Sequence, residues 1–385
     1  MTGSLSNHQQ EIIAEARDFA SREIRPFSVQ FEENEAIPRE LIEKMANKGY
    51  LGASFPKTYG GLEMEPVLYG LFTEEIGKAC SSTRALLTVH TSLVGETILR
   101  WGTEEQKKKW LPLMVQGKKI GAFGLTEPET GTDAKSVQTN YRKEGEKYII
   151  NGTKKWITLG TIADFFIIIT RGDNENTAFI VEREMPGVQT IPIKGLLAGR
   201  SDHIALIELK DVEVPAENVL GKEGSGFTYI VNTALDHGRY SIAWGGLGLA
   251  QEALESMISY SRKRSQFGKK IHSFQLIQGM IGDAVTKIHA GRALCLRAGE
   301  LRAKSDSMAA METTIAKYYT SKIAMEITTD AVQVHGGNGC CNRFPVERLF
   351  REAKILEIIE GTSQVQQEII SSFGLRQYYN PNYKI

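Results

Sequence analysis

Several short stretches of this chain carry residues able to do chemistry. Near the C-terminus, Ile358-Ile359-Glu360-Gly361-Thr362 sets one carboxylate after two isoleucines. Apolar surroundings disfavour the charged form of an acid and raise its pKa toward the range of a general base. Glu360 is therefore the candidate for proton abstraction. Gly361 suits a left-handed helix end, and Ser363 with Gln366 has the spacing of a capping box, so the acid is expected at a break between helices. Far upstream, the run from Phe123 through Leu125, Thr126 and Gly131 to Thr132 mixes hydroxyls with glycines, which let backbone amides approach the polar edge of a ligand. Trp156-Ile157-Thr158 offers an indole to cover a flat heterocycle and a hydroxyl for its rim. Arg264-Ser265-Gln266-Phe267-Gly268 supplies a guanidinium suited to phosphate. Gln333-Val334-His335-Gly336-Gly337 is a glycine-rich break able to admit a phosphate or ribose. Alone, each stretch also reads as a helix end, a turn, a core tryptophan or a basic turn. Their combination points to one site.

The elements that must position these residues change in texture along the chain. Residues 1–120 have a helical pattern, with charged residues interleaved among apolar ones such as Ile12, Ile13, Ala16 and Phe19 and breaks at Ile37-Pro38, Phe55-Pro56 and Tyr59-Gly60-Gly61. His90, in an apolar run, is expected to be a hydrogen-bonded core residue. Residues 121–226 break into short β-rich runs. Tyr148-Ile149-Ile150 leads into Asn151-Gly152, a strong hairpin signal, and Lys155-Trp156-Ile157-Thr158 follows. Phe165 to Ile169, Ala178 to Val181 and Ile204 to Val214 predict further strands. From 227 to 385 helical periodicity returns, with Ile277, Ile281, Ala284 and Ile288 on one face and Ile323, Ile327, Ala331 and Val334 on another. The expectation is an α+β chain with an N-terminal helical domain, a middle β-domain and a C-terminal antiparallel helical bundle. The closing Tyr378-Tyr379-Asn380-Pro381-Asn382-Tyr383 reads as a tail.

Bulk properties exclude some functions. At 385 residues a large core is affordable, and 46 basic residues balance 46 acidic ones. No net field points to nucleic acid or to an acidic membrane surface. Cys80, Cys295, Cys340 and Cys341 lack metal-ligand spacing, and the vicinal pair is poorly placed for an ordinary disulfide. Met1 to Leu5 do not open a signal segment, and no stretch has the length of a membrane span. The expected setting is reducing and cytoplasmic.

In the order of its domains and in these motifs, closing on Ile359-Glu360-Gly361-Thr362, the chain resembles the acyl-CoA dehydrogenase family over essentially its whole length. The resemblance implies FAD, held between β-domain and bundle in a homotetramer or homodimer, with each FAD reaching a neighbouring subunit. It assigns Phe123, Leu125, Thr126, Gly131, Thr132, Trp156, Ile157 and Thr158 to the flavin ring. Arg264, Phe267, Gln275, Gln333, Val334, Gly336 and Gly337 fall to the pyrophosphate and adenosine end, with Thr362 and Gln364 completing the cofactor site. Thr132, Asp236, Arg239 and Gly361 match positions near the substrate thioester, whose carrier is CoA or an acyl-carrier protein. Glu360 then removes a proton next to the thioester carbonyl while flavin N5 accepts a hydride, and electrons pass to another flavoprotein. Some members carry the base at the position matched by Gly238, which cannot serve. Asn338, and Ala198, Asp202 and His203, depart from the common pattern. In this the chain is similar to members in antibiotic and polyketide pathways that oxidise carrier-bound acyl groups. Two other readings are a flavin oxidase on the same fold, marked by peroxide formation, and a non-catalytic helical scaffold, which requires loss of the base or flavin motifs.

Overall fold

The computed structural model describes residues 5–172 and 175–380. The chain divides into two compact units, Met1–Ser241 and Ile242–Ile385. Pro381 to Tyr383 of the expected tail lie outside the described residues, as do Met1 to Ser4.

The first unit opens with helices whose ends are written in local chemistry. Ser6 and Gln9 form a reciprocal capping box at Asn7–Phe19, and Thr103 and Gln106 form another at Glu104–Val115. Pro66 begins Pro66–Ala79, where its missing amide hydrogen costs no helical bond. Between them Ser81–Leu87 continues through the π-helical segment Thr88–Gly95, every residue of which is buried.

The same unit holds an eight-stranded mixed sheet. Its strands are β1 (Gly121–Gly124), β2 (Asn140–Glu144), β3 (Lys147–Ile157), β4 (Phe165–Arg171), β5 (Asn176–Glu182), β6 (Val188–Pro192), β7 (Ala205–Pro215) and β8 (Val219–Leu220). They run in the order β6-β7-β3-β2-β4-β5-β8, and β1 pairs parallel with β4. The run Phe165 to Ile169 is wholly buried, as a continuous apolar strand requires. Phe165, Ile167 and Ile169 share a core cluster with Trp110, Leu111 and Met114 of the helical region.

Asn151-Gly152 is not a hairpin turn. β3 runs unbroken through it, and the turn lies at Gly145, with Glu144 opposite Lys147 and Gly145 at φ 62°. Tertiary contacts overrule the local signal. The Asn151 side chain accepts from the Asp211 amide at 2.8 Å and donates to the Asp211 carboxylate at 3.1 Å, tying β3 to β7. Gly152, at φ 150°, sits where a Cβ would come within 2.5 Å of Thr139 Cα.

The helix Asn232–Lys263 contains the boundary between units. In the second unit Ala309–His335 packs on Gln275–Ala303, Val346–Leu356 and Ser363–Gln377. Its buried face carries Ile323, Ile327, Ala331 and Val334, as the periodicity predicts. On Gln275–Ala303, Ala284 and Ile288 are buried, while Ile277 and Ile281 are only partly so. A Cβ at Gly246 would stand 3.0 Å from the Thr320 backbone, so these two helices approach closely. The architecture is the expected one of helical region, sheet and helical bundle.

Candidate active site

In the first unit two of the predicted stretches meet. The Lys155 amide donates to Thr126 O at 2.8 Å, and Lys154 Nζ donates to Leu125 O at 3.1 Å. Lys154 also donates to Glu127 Oε1 at 2.7 Å, and both side chains are buried. Glu127 takes the Thr139 amide at 2.8 Å and the Gln138 amide as well. Burial brings Lys154 down to about 8 against the pull of Glu127. Burial raises Glu127, yet the Lys154 charge and these hydrogen bonds hold its carboxyl below the usual range. In a regular strand Lys154 and Trp156 would share a face. A bulge between Lys154 and Ile157, with Trp156 at φ 63°, sends the lysine inward and leaves the indole half exposed. Phe123, Leu125 and Ile157 are buried beneath, Thr126 and Thr158 are half-buried, and Gly131 and Thr132 lie on the exposed loop. Asp236 and Arg239 sit half-buried in the first turns of Asn232–Lys263.

In the second unit Glu360 lies in the link between Val346–Leu356 and Ser363–Gln377. Glu360 has φ 54° and Gly361 φ 89°, so two consecutive residues are left-handed. The cap of the last helix is Thr362, not Ser363: its hydroxyl accepts from the Val365 amide at 3.3 Å. Gln366 instead donates Nε2 to Glu360 O at 3.2 Å and Gly361 O at 3.0 Å. Lys317 Nζ donates to Gly361 O at 2.7 Å. The two isoleucines before the acid are partly open to solvent, Ile358 at 51% and Ile359 at 36% exposed. Glu360 itself is half-buried.

The other predicted residues of this unit are spread along it. Gln333 and Gly336–Gly337 lie at the far end of the helix that carries Lys317, about 24 Å along its axis at 1.5 Å per residue. There Val334 is buried, His335 stacks on Tyr260 with ring centres 4.1 Å apart, and Asn338 donates to the Tyr260 hydroxyl at 2.9 Å. Arg264 precedes a hairpin of Ser265–Gln266 and Lys269–Lys270 whose turn holds Phe267 at φ 50° and 92% exposed. Gln275 opens the next helix, exposed, and Gln364 is exposed in the first turn of the last one.

Residues 6–118, 122–212 and 224–375 match, in turn, the N-terminal, middle and C-terminal domains of acyl-CoA dehydrogenases. The chain belongs to the acyl-CoA dehydrogenase family. It is 39% identical over 376 residues to a short-chain-specific acyl-CoA dehydrogenase of Clostridium acetobutylicum, covering 96% of this chain and 99% of that protein. It is 37% identical over 376 residues to the caffeyl-CoA reductase-Etf complex subunit CarC of Acetobacterium woodii, covering 94% of this chain and 97% of that one. Among solved structures, a glutaryl-CoA dehydrogenase from Mycobacterium smegmatis in complex with FADH2 matches with a TM-score of 0.92 and 28% identity, over 98% of this chain and 97% of that chain.

Asp202 and His203 are engaged inside the first unit. His203 Nε2 lies 3.1 Å from both N and O of Ile37, and Nδ1 lies 3.1 Å from Thr161 Oγ1. Burial pushes Asp202 up to about 6, moderated by Ser82 and Arg84. Both side chains fasten the loop inside the first unit. The sequence reading missed Lys154 and Lys317, and it gave Gln366 a capping role in place of its bonds to Glu360 O and Gly361 O. For Lys317 a signal existed: it falls on the buried face of Ala309–His335, in step with Thr313, Thr320 and Ala324.

Proposed function

We propose that this acyl-CoA dehydrogenase oxidises a short-chain acyl thioester between its α- and β-carbons, with Glu360 as the base and an electron-transferring flavoprotein as acceptor. What carries the reading is the match of all three domains together with a glutamate set at the left-handed turn before the last helix. The residues present fit FAD. The first unit offers a half-exposed indole beside the Thr126 and Thr158 hydroxyls, suited to an aromatic ring with a hydrogen-bonding rim. In the second, the exposed side chains of Arg264, Gln275, Gln333 and Gln364 make no hydrogen bond among the described residues. A Cβ at Gly336 or Gly337 would meet nothing within 4 Å, leaving room for an anionic group. When bound, FAD supplies the hydride acceptor.

The chain's own residues do the rest. Phe123, Leu125, Thr126, Gly131, Thr132, Trp156, Ile157 and Thr158 seat the flavin ring. Arg264, Phe267, Gln275, Gln333, Val334, Gly336 and Gly337 take the pyrophosphate and adenosine end, and Thr362 and Gln364 close the site. Thr132, Asp236, Arg239 and Gly361 line the path of the thioester. Glu360 accepts the α-proton on its carboxylate, and hydrogen-bond donors at the carbonyl stabilise the developing enolate. The distance between Lys317 and Gln333 along one helix, and the exposed Phe267, favour a homo-oligomer in which one subunit's glycine-rich break serves its neighbour's cofactor. Free acyl-CoA is the preferred substrate over a carrier-bound group, since Asp202 and His203 are engaged within the first unit and the Clostridium acetobutylicum relative is short-chain specific.

Anaerobic titration of the purified yellow protein with acyl-CoA thioesters of increasing length, and with acyl-carrier proteins, tests this. Bleaching by short acyl-CoA is expected. Glu360→Gln should keep its flavin and lose about 10²- to 10⁴-fold in bleaching rate, as loss of a general base does. Bleaching only by a carrier-bound group would move the substrate, and an active Glu360→Gln would remove the base assignment.

A further inference from the structure

The helix Ala309–His335 buries a lysine completely. Removing an ammonium from water is costly unless its donors are met, and an apolar residue would fill the same space without that cost. Lys317 spends a donor on one main-chain oxygen, Gly361 O, at 2.7 Å. Gln366, also wholly buried, reaches the same oxygen at 3.0 Å and Glu360 O at 3.2 Å. Two buried side chains from two helices thus give three hydrogen bonds to two consecutive carbonyls. Those carbonyls belong to a conformation the chain resists: a glutamate at φ 54° followed by a glycine at φ 89°. The Ser363 amide closes the link onto Glu357 O at 2.9 Å.

We infer that Lys317 and Gln366 are positioning residues that hold Glu360 in its left-handed turn and so fix the direction from which its carboxylate meets the α-carbon. The inference rests on the reading of Glu360 as the base. Neither side chain exchanges a proton with substrate; each acts through the main chain of the base. Lysine suits the place because its long stem crosses the apolar face of the helix and its charge strengthens the bond to a carbonyl. An off-target carboxylate loses rate and leaves binding largely intact, because most of the residues assigned to the thioester and the flavin lie outside this turn.

The test compares Lys317→Met, Lys317→Arg and Gln366→Met as FAD-loaded enzymes. Flavin reduction by acyl-CoA is followed anaerobically per bound FAD, and amide exchange is followed across residues 357–365. For both methionine variants the limiting reduction rate should fall about 10- to 100-fold, the scale of a roughly 1 Å misplacement. Half-saturation should move by less than about 3-fold, and exchange across the turn should quicken. Lys317→Arg should recover part of the rate. A loaded variant that reduces its flavin at the wild-type rate, or one that loses rate with exchange unchanged, overturns the inference. If Lys317→Met does not fold, Gln366→Met decides; failure of both to fold overturns it, because the pair would then serve the core. Glu360→Gln separates the two levels. If that variant still reduces its flavin, the base assignment falls, and exchange alone decides whether Lys317 and Gln366 hold the turn.

Discussion

Glu127→Gln removes the carboxylate facing Lys154 and changes almost nothing in shape. Both side chains are buried, at 0% exposure for the lysine and 4% for the glutamate. Lys154 is already pushed from 10.5 to about 8 by burial, with Glu127 opposing the push. At about 1.4 kcal/mol per pH unit, the buried charge costs about 3 kcal/mol even with its partner present. Removing one partner of such a pair typically costs about 3–5 kcal/mol. With an unfolding entropy of about 2.1 cal/mol/K per residue over Met1–Ser241, a loss of about 3 kcal/mol lowers the midpoint by about 6 °C. The sign with pH follows from the same group. Its folded pKa lies below its unfolded one, so between about 8 and 10.5 the unfolded chain holds a proton that the folded chain does not, and stability rises with pH. Below about 8 Lys154 is charged and the pair attracts; above it the attraction fades. The deficit of Glu127→Gln should therefore be largest at pH 7 and shrink by pH 9.5, and adding Lys154→Met should restore much of it, because an apolar replacement of both partners is often neutral. Thermal unfolding followed by fluorescence at the two pH values, with FAD content in parallel, reads this directly. An equal deficit at both pH values, or none, would refute the argument that the charge on Lys154 is what Glu127 answers.

His90 is wholly buried, accepts from the Gly121 amide at Nδ1 and contacts Met114 O through Nε2, and burial brings it down to about 4. Between about 4 and 6.5 only the unfolded chain takes the proton, so stability should fall by about 3 kcal/mol as pH drops through that window, and His90→Gln should flatten that part of the curve in acid titrations of unfolding. Gly152→Ala drives a Cβ to 2.5 Å from Thr139 Cα and should cost about 1–3 kcal/mol in denaturant unfolding. Gly145→Ala, where a Cβ meets nothing within 4 Å, should cost only the left-handed penalty of about 1 kcal/mol, and the reverse order would contradict the placement of the turn.

What was legible in the sequence was whatever a few neighbouring residues decide among themselves. Phe165 to Ile169 announces a buried strand by being apolar throughout, and the face of Ile323, Ile327, Ala331 and Val334 announces a packed helix by its period. Asn151-Gly152 misled because its turn chemistry is real but loses to partners elsewhere: Asp211 lies 60 residues away along the chain from Asn151. The same reason hid the supports of the site. Lys154 meets Glu127 across 27 residues, and Lys317 meets Gly361 across 44. Local pattern shows that Lys317 faces inward but cannot name the oxygen it reaches. A base named from a motif is thus only half described. If Glu360 is the base, the buried donors Lys317 and Gln366 are what would set its direction, and substitutions at these two residues should separate the presence of the carboxylate from its aim.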